Sequence, residues 1–244
     1  MKWLKGMMVG LILVAGMASV TQGAMMYSHS FDSLTDITIA SADPVNGIGG
    51  IAPAPGGKAG NALYLDRVNP SSGYLTATIT PPTGFAGSET TITQVYRLFL
   101  SYSTTTLWGY SGYLYGGSGE GVVVWNGQFA SSNNVNGGLM ANQSDTWYTV
   151  AEVINLGSRR EDIYIKQGAD AVITEADLLM SNASWGTSSD ISFMMVYQPL
   201  AYGTDITWID DYTINAGKDF TVVPEPITMS LMFLGGILGF RRRG

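Results

Sequence analysis

Tyr74-Leu75-Thr76-Ala77-Thr78-Ile79-Thr80 is the stretch that decides the fold class, because apolar and hydroxyl-bearing side chains alternate along it. Successive side chains of a β-strand point to opposite faces, so this period predicts a strand with one buried and one solvated face. A second stretch, 206–214, has the same period. One predicted face holds Ile206, Trp208, Tyr212 and Ile214, and the other holds Thr207, Ile209, Asp211 and Thr213. Half-buried strands of this kind are typical of antiparallel sheets.

Further strand candidates recur along the chain, separated by turns rich in Gly and Asn. They are 91–101, 121–125, 147–154, 163–165 and 191–198. No long segment has apolar residues at helical spacing, and one short helix is expected at 174–180, where Thr174 would cap the first turn. The sequence therefore predicts an all-β fold, a two-sheet antiparallel sandwich over residues 24–220.

The composition excludes several classes of protein. The chain has no cysteine, which rules out disulfides and thiolate metal sites. It has 19 Asp and Glu against 12 Lys and Arg, and five of the basic residues lie in the terminal segments, namely Lys2, Lys5, Arg241, Arg242 and Arg243. The domain between those segments is therefore strongly acidic and repels phosphate backbones, so nucleic acid is not an expected partner.

Residues 1–23 have the three parts of a secretory signal peptide. Two lysines supply the positive start, 7–18 is apolar, and small residues follow. Cleavage after Gly23 leaves small side chains at Thr21 and Gly23 for the pockets of signal peptidase and makes Ala24 the mature N-terminus. The alternative is a permanent N-terminal anchor, for which the apolar stretch is short.

Residues 221–244 form a second signal-like segment. Val223-Pro224-Glu225-Pro226 is followed by the apolar stretch 227–240 and then by Arg241-Arg242-Arg243. As a helix, the apolar stretch would reach only about 21 Å, short of a hydrocarbon core about 30 Å thick. The arginines would hold the end on the cytoplasmic side.

This order of parts resembles the PEP-CTERM sorting signal. The resemblance implies that exosortase, a membrane cysteine protease-transpeptidase, processes the tail at or near the Pro-Glu-Pro motif. The apolar part would be a short helix that anchors the chain in the inner membrane only transiently. A plain tail anchor is the alternative.

Three segments of the middle domain resemble the concanavalin A-like jelly roll in its laminin-G-like bacterial form. They are a G-x-x-G-x-A-L segment within 57–66, a W-x-x-V-A strand within 145–151 and an I-D-D strand within 208–214. The resemblance departs at Tyr148 and Thr149, where histidines are common. It implies a two-sheet jelly-roll sandwich.

Catalytic patterns are incomplete in this sequence. Some glycosidases of this broad fold carry E-x-D-x-x-E on one strand, which places two carboxylates on the same side of a cleft. Here Glu175-Ala176-Asp177 is followed by Met180 in place of the second glutamate, and the adjacent Glu161 and Asp162 would point to opposite faces of a strand. His29 is the only histidine and is expected to pack or lie at the surface rather than build a triad. We therefore expect no enzyme activity.

Two features are candidates for binding. Asp210 and Asp211 offer carboxylates to a calcium ion, the alternative being that one bonds a turn while the other is solvated. No other cofactor is expected. Four aromatic residues lie among glycines and suit stacking on sugar rings, the alternative being a strand pair that buries them; they are Trp108, Tyr110, Tyr113 and Tyr115.

Three functions stay open at this point. The first is an exported, non-enzymatic protein of the outer surface or exopolysaccharide matrix, with signal peptidase and an exosortase-like enzyme as its partners. The second is a carbohydrate-binding or adhesive module that contacts polysaccharide. The third is a glycan-active enzyme without a recognisable motif, which a cleft holding two carboxylates would favour.

Overall fold

The computed structural model describes residues 25–68, 74–80, 89–102, 108–114, 121–125, 127–131, 137–185, 194–199 and 205–222. The predicted signal peptide lies outside these ranges, as does the tail from Val223 onward with its predicted helix at 227–240. The proposed boundaries of those segments stay predictions. Within the described ranges, no helix has the length and apolar character needed to cross a membrane.

Fifteen β-strands and a single turn of 3-10 helix make up the described part of the chain. The strands are β1 (Met25–His29), β2 (Ile37–Ser41), β3 (Gly47–Pro53), β4 (Asn61–Arg67), β5 (Tyr74–Ile79), β6 (Thr91–Tyr102), β7 (Trp108–Leu114), β8 (Val122–Trp125), β9 (Gln128–Ser131), β10 (Met140–Ala141), β11 (Thr146–Asn155), β12 (Arg160–Gln167), β13 (Leu178–Ser184), β14 (Met194–Pro199) and β15 (Asp205–Ala216). Their pairings are antiparallel. The predicted all-β antiparallel fold is confirmed.

The strands form two sheets. The first sheet has the order β13-β12-β11-β6-β15-β4-β3, with β1 also paired to β15, and the second has the order β10-β9-β8-β7-β14-β5-β2. From β4 to β7 the chain changes sheet at each step, as it does in jelly rolls. One cluster of buried side chains joins Leu98 and Tyr148 of the first sheet to Leu75, Ile79 and Phe129 of the second. The two sheets therefore pack face to face as a sandwich.

β5 is the strand that the opening stretch predicts. Its side chains Leu75, Ala77 and Ile79 are completely buried between the sheets. The alternating threonines face away from that core, and the Thr76 hydroxyl donates a hydrogen bond to the Ala40 carbonyl of neighbouring β2, at 3.3 Å. The two-residue period therefore identified both the strand and its buried face.

β15 contains a β-bulge, which the sequence pattern did not reveal. Asp210 pairs with Arg97 and Thr213 pairs with Val95, so three steps along β15 match two steps along β6. Asp211, inside this irregularity, has a φ of 50°. One extra residue in a strand turns all the following side chains to the other face.

The predicted faces of β15 are therefore wrong on one side of the bulge. Ile209, before it, and Tyr212, after it, both lie in the core between the sheets. Trp208 packs on the opposite face instead. The bulge also turns the consecutive carboxylates Asp210 and Asp211 toward one partner, since both contact Lys58.

The helix predicted at 174–180 is shorter than expected. Only Glu175–Asp177 is helical, as one 3-10 turn, and β13 begins at Leu178. The expected cap at Thr174 is present, because its backbone N–H and its hydroxyl each donate to the Asp177 carboxylate, both at 2.8 Å. From Leu178 onward, pairing with β12 satisfies the backbone and overrides the helical tendency.

Candidate functional site

The outer face of the first sheet, meaning the face turned away from the second sheet, is covered rather than open. Val95 and Phe99 of β6 lie there in two separate apolar clusters. Three segments pack over this face: the β3–β4 turn (54–60), the segment 168–174 after β12, and a strap after β15, defined here as residues 217–222. Anything between the sheet and these segments is shielded from solvent.

Four charged side chains lie between the two apolar clusters and form what we term the charged cluster: Lys58, Arg97, Asp210 and Asp211. Lys58 Nζ lies 2.5 Å from Asp210 Oδ2 and 3.1 Å from Asp211 Oδ2. Arg97 Nε is 3.6 Å from Asp211 Oδ2. The side chains of Lys58, Asp210 and Asp211 are only 6%, 0% and 9% exposed.

The two calcium candidates thus contact basic side chains. No group of three or more His, Cys, Asp or Glu side chains arranged to hold a metal ion occurs among the described residues. Calcium binding stays a prediction, and an ion between Asp210 and Asp211 would have to displace the Lys58 ammonium.

Burial dominates the electrostatics of the charged cluster. It raises the pKa of Asp210 to about 7, an effect that the negative charge of Asp211 reinforces and that Lys58 opposes. Burial acts to lower the pKa of Lys58, but the hydrogen bond and charge of Asp210, with help from Asp211, outweigh it and raise that pKa. Burial lowers the pKa of Arg97. Asp210 and Lys58 therefore compete for a proton while both of their side chains are almost completely buried.

Arg97 and Trp147 fasten the covering segments to the sheet. Arg97 Nη1 donates to the Thr149 hydroxyl and to the Ala171 carbonyl, the latter at 2.8 Å. The Trp147 indole N–H donates to the Pro55 carbonyl at 2.8 Å. These bonds hold the 168–174 segment and the β3–β4 turn over the charged cluster.

A cavity of about 560 Å³, which we term the outer-face pocket, opens beside the charged cluster. Three members of the charged cluster line it, all except Asp210, and Asp170 and Thr221 add to its polar lining. Its apolar lining comes from the β3–β4 turn, the 168–174 segment and the strap. The residues are Lys58, Ala59, Arg97, Asp170, Ala171, Val172, Asp211, Phe220, Thr221 and Val222. Val172 is 72% exposed and stands at the rim. The pocket therefore combines charged groups with an apolar wall.

The strap forms one wall of the outer-face pocket and is pinned along its length. Asn215 Nδ2 donates to the carbonyls of Asp219 and Thr221, at 2.9 and 2.8 Å. The ring of Phe220 lies against Tyr164, with centroids 4.8 Å apart. The predicted sorting motif starts at Val223, the first residue after the strap.

A second set of carboxyl groups is buried between the two sheets. Glu152 and Glu161, on neighbouring strands β11 and β12, are 0% and 1% exposed. The Tyr96 hydroxyl donates to Glu152 Oε1 at 2.8 Å. Burial raises the pKa of Glu152 to about 7, against the opposing effect of hydrogen bonds from Tyr96, Gln94 and Glu161. A glycan-active enzyme would need two carboxyl groups that line an accessible cleft. Glu152 and Glu161 are instead buried inside the sandwich.

The aromatic candidates lie on a strand. Trp108, Tyr110 and Tyr113 belong to β7, whose backbone pairs with β8 and β14. The strand pairing that the alternative interpretation required is present, and burial of the rings stays a prediction. Tyr115 lies outside the described residues, so sugar stacking by these four residues stays a prediction.

The remaining candidates from the sequence have local partners. The Glu175 carboxylate accepts a hydrogen bond from Lys218 Nζ at 2.7 Å. His29 Nδ1 accepts the Phe31 N–H at 2.9 Å, and its Nε2 lies 2.8 Å from the Thr35 carbonyl oxygen. His29 thus organises the turn that follows β1.

Sequence reasoning missed Lys58, Arg97 and Glu152 as members of a site. A signal was present for two of them. Arg97 is the only charged residue of β6, and Glu152 is the only charged residue of β11. A charge at such a position is buried unless the strand is at an edge, so it requires a partner. Lys58 gave no such signal, since it stands in a Gly-rich turn.

Comparisons with known proteins identify the fold. No family model and no curated protein matches the chain. A sialidase structure aligns with a TM-score of 0.52 at 12% identity, over 80% of this chain and 19% of the sialidase. A carbohydrate esterase from the Shiga toxin-encoding bacteriophage phi24B aligns with a TM-score of 0.47 at 10% identity. The alignment covers 80% of this chain and 100% of the esterase. The binding domain of botulinum neurotoxin serotype D/C aligns with a TM-score of 0.46 at 12% identity. The alignment covers 86% of this chain and 52% of that domain's chain.

The likeness to the sialidase shows a jelly-roll-like β-sandwich, in agreement with the predicted fold class. This chain spans less than a fifth of the length of that sialidase, since the alignment covers 19% of it. The class of protein that the fold defines is therefore an all-β sandwich of jelly-roll type.

Proposed function

We propose that this chain is an exported, non-enzymatic surface protein whose sandwich binds a saccharide in the outer-face pocket and whose C-terminal tail directs its sorting. The observation that carries the binding proposal is the pocket itself. Its volume of about 560 Å³ falls within the range of about 300–1,000 Å³ usual for small-ligand sites. Occurrence of the same fold within a sialidase is compatible with a saccharide ligand.

The lining of the pocket suits a sugar. Sugar hydroxyls both donate and accept hydrogen bonds, so they match a surface that offers the carboxylate of Asp170 beside the guanidinium of Arg97. The C–H face of a sugar ring packs on apolar side chains, which Phe220 and Val172 supply. A purely ionic ligand fits less well, because Lys58 and Arg97 already face Asp211.

We propose binding without catalysis, and the surroundings of the carboxyl groups support this proposal. Glycoside hydrolysis needs an acid and a second carboxylate on either side of an accessible bond. Among the described residues, Asp210 and Asp211 are engaged by Lys58, and Glu152 and Glu161 are sealed between the sheets. Asp170 and Asp211 both line the pocket, but Asp211 is held by Lys58 and Arg97, so we propose that this pair binds the ligand and performs no hydrolysis.

The sorting part of the proposal is supported by the order of parts in the tail. Pro224-Glu225-Pro226 precedes a short apolar stretch and three arginines, and prolines keep such a strip free of strand pairing. We propose that signal peptidase and an exosortase-like enzyme process the two ends. The product would belong to the cell envelope or the extracellular matrix.

Saccharide binding is tested with the purified full-length chain on a glycan array, followed by titration calorimetry with the best ligand. Val172→Trp should fill the rim of the pocket and reduce affinity at least tenfold. Val45→Trp is the matched control, because Val45 is 77% exposed and lies in the β2–β3 turn. Equal affinity of both variants for the ligand, or no binding by the folded wild type, would refute the pocket as a saccharide site.

Sorting is tested by replacing Pro224, Glu225 and Pro226 with alanine in a host that contains the sorting protease. The motif lies beyond the last strand, so folding should be retained while a longer, membrane-retained form accumulates. Cell fractions are compared by mass with those of the wild type. Identical masses and distributions would show that the motif is not read and that the tail is a simple anchor.

A further inference from the structure

We propose that Lys58 and Asp210 join through an intramolecular isopeptide bond, a covalent cross-link that the fold makes from its own side chains. The two reacting groups come from distant parts of the chain, the β3–β4 turn and the last strand, and meet inside the charged cluster. This inference is independent of saccharide binding and of sorting. It rests on the contacts of Lys58, Asp210 and Asp211.

The nucleophile and the electrophile are in contact. Lys58 Nζ lies 2.5 Å from Asp210 Oδ2, and the carboxyl carbon is one covalent bond beyond that oxygen. Reacting atoms held about 3–3.5 Å apart are in a near-attack geometry, which replaces an encounter in solution by a step within one molecule. Both side chains are almost completely buried, so this geometry is maintained.

The other oxygen of Asp210 is held by a backbone donor. Asp210 Oδ1 accepts the N–H of Asp211 at 2.8 Å. During attack on the carboxyl carbon, negative charge develops on this oxygen, and a fixed N–H stabilises it as in an oxyanion hole. The bulge in β15 provides this donor, because Asp211 has a φ of 50° there.

Asp211 supplies a proton acceptor on the other side of the amine. Its Oδ2 is 3.1 Å from Lys58 Nζ and 3.6 Å from Arg97 Nε. Because the pKa of Lys58 is raised, the amine starts as an ammonium and must lose a proton before it can attack. The Asp211 carboxylate accepts that proton and returns it to the leaving oxygen.

The atoms of the reaction balance without any added reagent. Lys58 Nζ forms a bond to the carboxyl carbon of Asp210, and the bond from that carbon to Oδ2 breaks. Two of the three ammonium protons leave with Oδ2 as one water molecule: Asp211 takes the first before the attack and the second from the tetrahedral adduct, and passes each of them to Oδ2. An ion pair thus becomes a neutral amide, with no net change in charge and no oxidation or reduction.

The surroundings favour the amide over the ion pair. A low-dielectric site penalises two charges more than it penalises a neutral amide. Burial raises the pKa of Asp210 to about 7, which lowers the cost of moving a proton from the Lys58 ammonium onto this carboxyl and so of reaching the neutral acid that an amine attacks.

The cross-link would serve the chain in the way that disulfides serve other exported domains. This chain has no cysteine. A bond between Lys58 and Asp210 closes a loop that contains most of the sandwich, and long loops lose the most entropy when they are closed in the unfolded state. It would also attach the last strand covalently to the β3–β4 turn.

Mass spectrometry of the purified, folded full-length chain tests the proposal. The wild type should be lighter than its sequence mass by one water molecule. Trypsin should leave a branched peptide that joins the Lys58 and Asp210 segments, because it does not cleave after an acylated lysine. An unmodified mass for the folded wild type would overturn the proposal, whatever the variants show.

Two variants and an internal control test which residues form the cross-link and which residue carries the proton. Lys58→Met should restore the full mass, and Asp211→Asn should do so too while Lys58 and Asp210 are both still present. Lys218 and Glu175, an exposed ion pair at 2.7 Å, should stay unlinked in every sample. A cross-link at that pair as well would show non-specific coupling, and a wild-type rate of bond formation in Asp211→Asn would exclude Asp211 as the proton carrier.

Discussion

Replacing Glu152 by glutamine should make the protein more stable at neutral and alkaline pH. Glu152 is completely buried and burial raises the pKa of its carboxyl from 4.5 to about 7. Glutamine has the same shape and carries no charge. Its amide oxygen still accepts from the Tyr96 hydroxyl, so the buried hydrogen bond to this position is kept.

The size of the effect follows from the two pKa values. Between pH 4.5 and about 7, the folded state holds a proton on Glu152 that the unfolded state has lost. The free energy of unfolding therefore falls as pH rises, by about 1.4 kcal/mol per pH unit. Across the whole window the loss amounts to about 3 kcal/mol. Above pH 7 this contribution levels off, because both states have then lost the proton.

Urea unfolding from pH 4 to pH 8, followed by tryptophan fluorescence, measures the difference between the wild type and Glu152→Gln. The two proteins should have similar stability near pH 4.5 and should diverge as the pH rises, with the variant the more stable. Glu175→Gln is the control, because that side chain is 70% exposed, and it should follow the wild type. If the variant parallels the wild type across the whole range, Glu152 is not a buried acid with a raised pKa.

Three further changes test other parts of the fold. Phe129→Ala, in the core between the sheets, should reduce the free energy of unfolding by about 3–5 kcal/mol, and a loss below about 1 kcal/mol in urea titration would mean that this core is not packed as described. Gly56→Ala should lower the urea midpoint more than Gly57→Ala. Both positions have positive φ, but only at Gly56 would a new Cβ contact side chains, at 3.2–3.3 Å. The reverse order would contradict the packing of the β3–β4 turn. Asn215→Ala removes two hydrogen bonds to the strap, so limited proteolysis should cut the strap faster, and an unchanged cleavage rate would show that it is not pinned there.

The sequence predicts the strands well where a strand obeys a strict two-residue period. The stretch 74–80 correctly predicted β5 and its buried face, because Leu75, Ala77 and Ile79 alternate without interruption and all three are buried in the core. The same rule failed in β15, because a bulge at Asp211 depends on backbone pairing with β6 and leaves no mark on the pattern of side chains. The helix at 174–180 failed for a related reason: pairing with β12 determines the conformation beyond Asp177.

The charged cluster was much harder to predict than the fold. Asp210 and Asp211 were recognised as a pair, but their partner Lys58 precedes Asp210 by most of the length of the sandwich. Which cation meets two carboxylates is decided by tertiary folding, so calcium and lysine could not be distinguished from the sequence. Glu152 was overlooked because its partner Tyr96 lies on a neighbouring strand, at a register that only the structure gives.

The position of β15 has a mechanical consequence. It is the last strand of the described residues, yet it lies in the middle of its sheet, with β6 on one side and β4 and β1 on the other. Tension entering the domain from its C-terminal side would first peel away the strap and would then pull β15 along its own axis. In that direction the hydrogen bonds to three strands bear the load together, in shear, instead of opening one after another like a zipper.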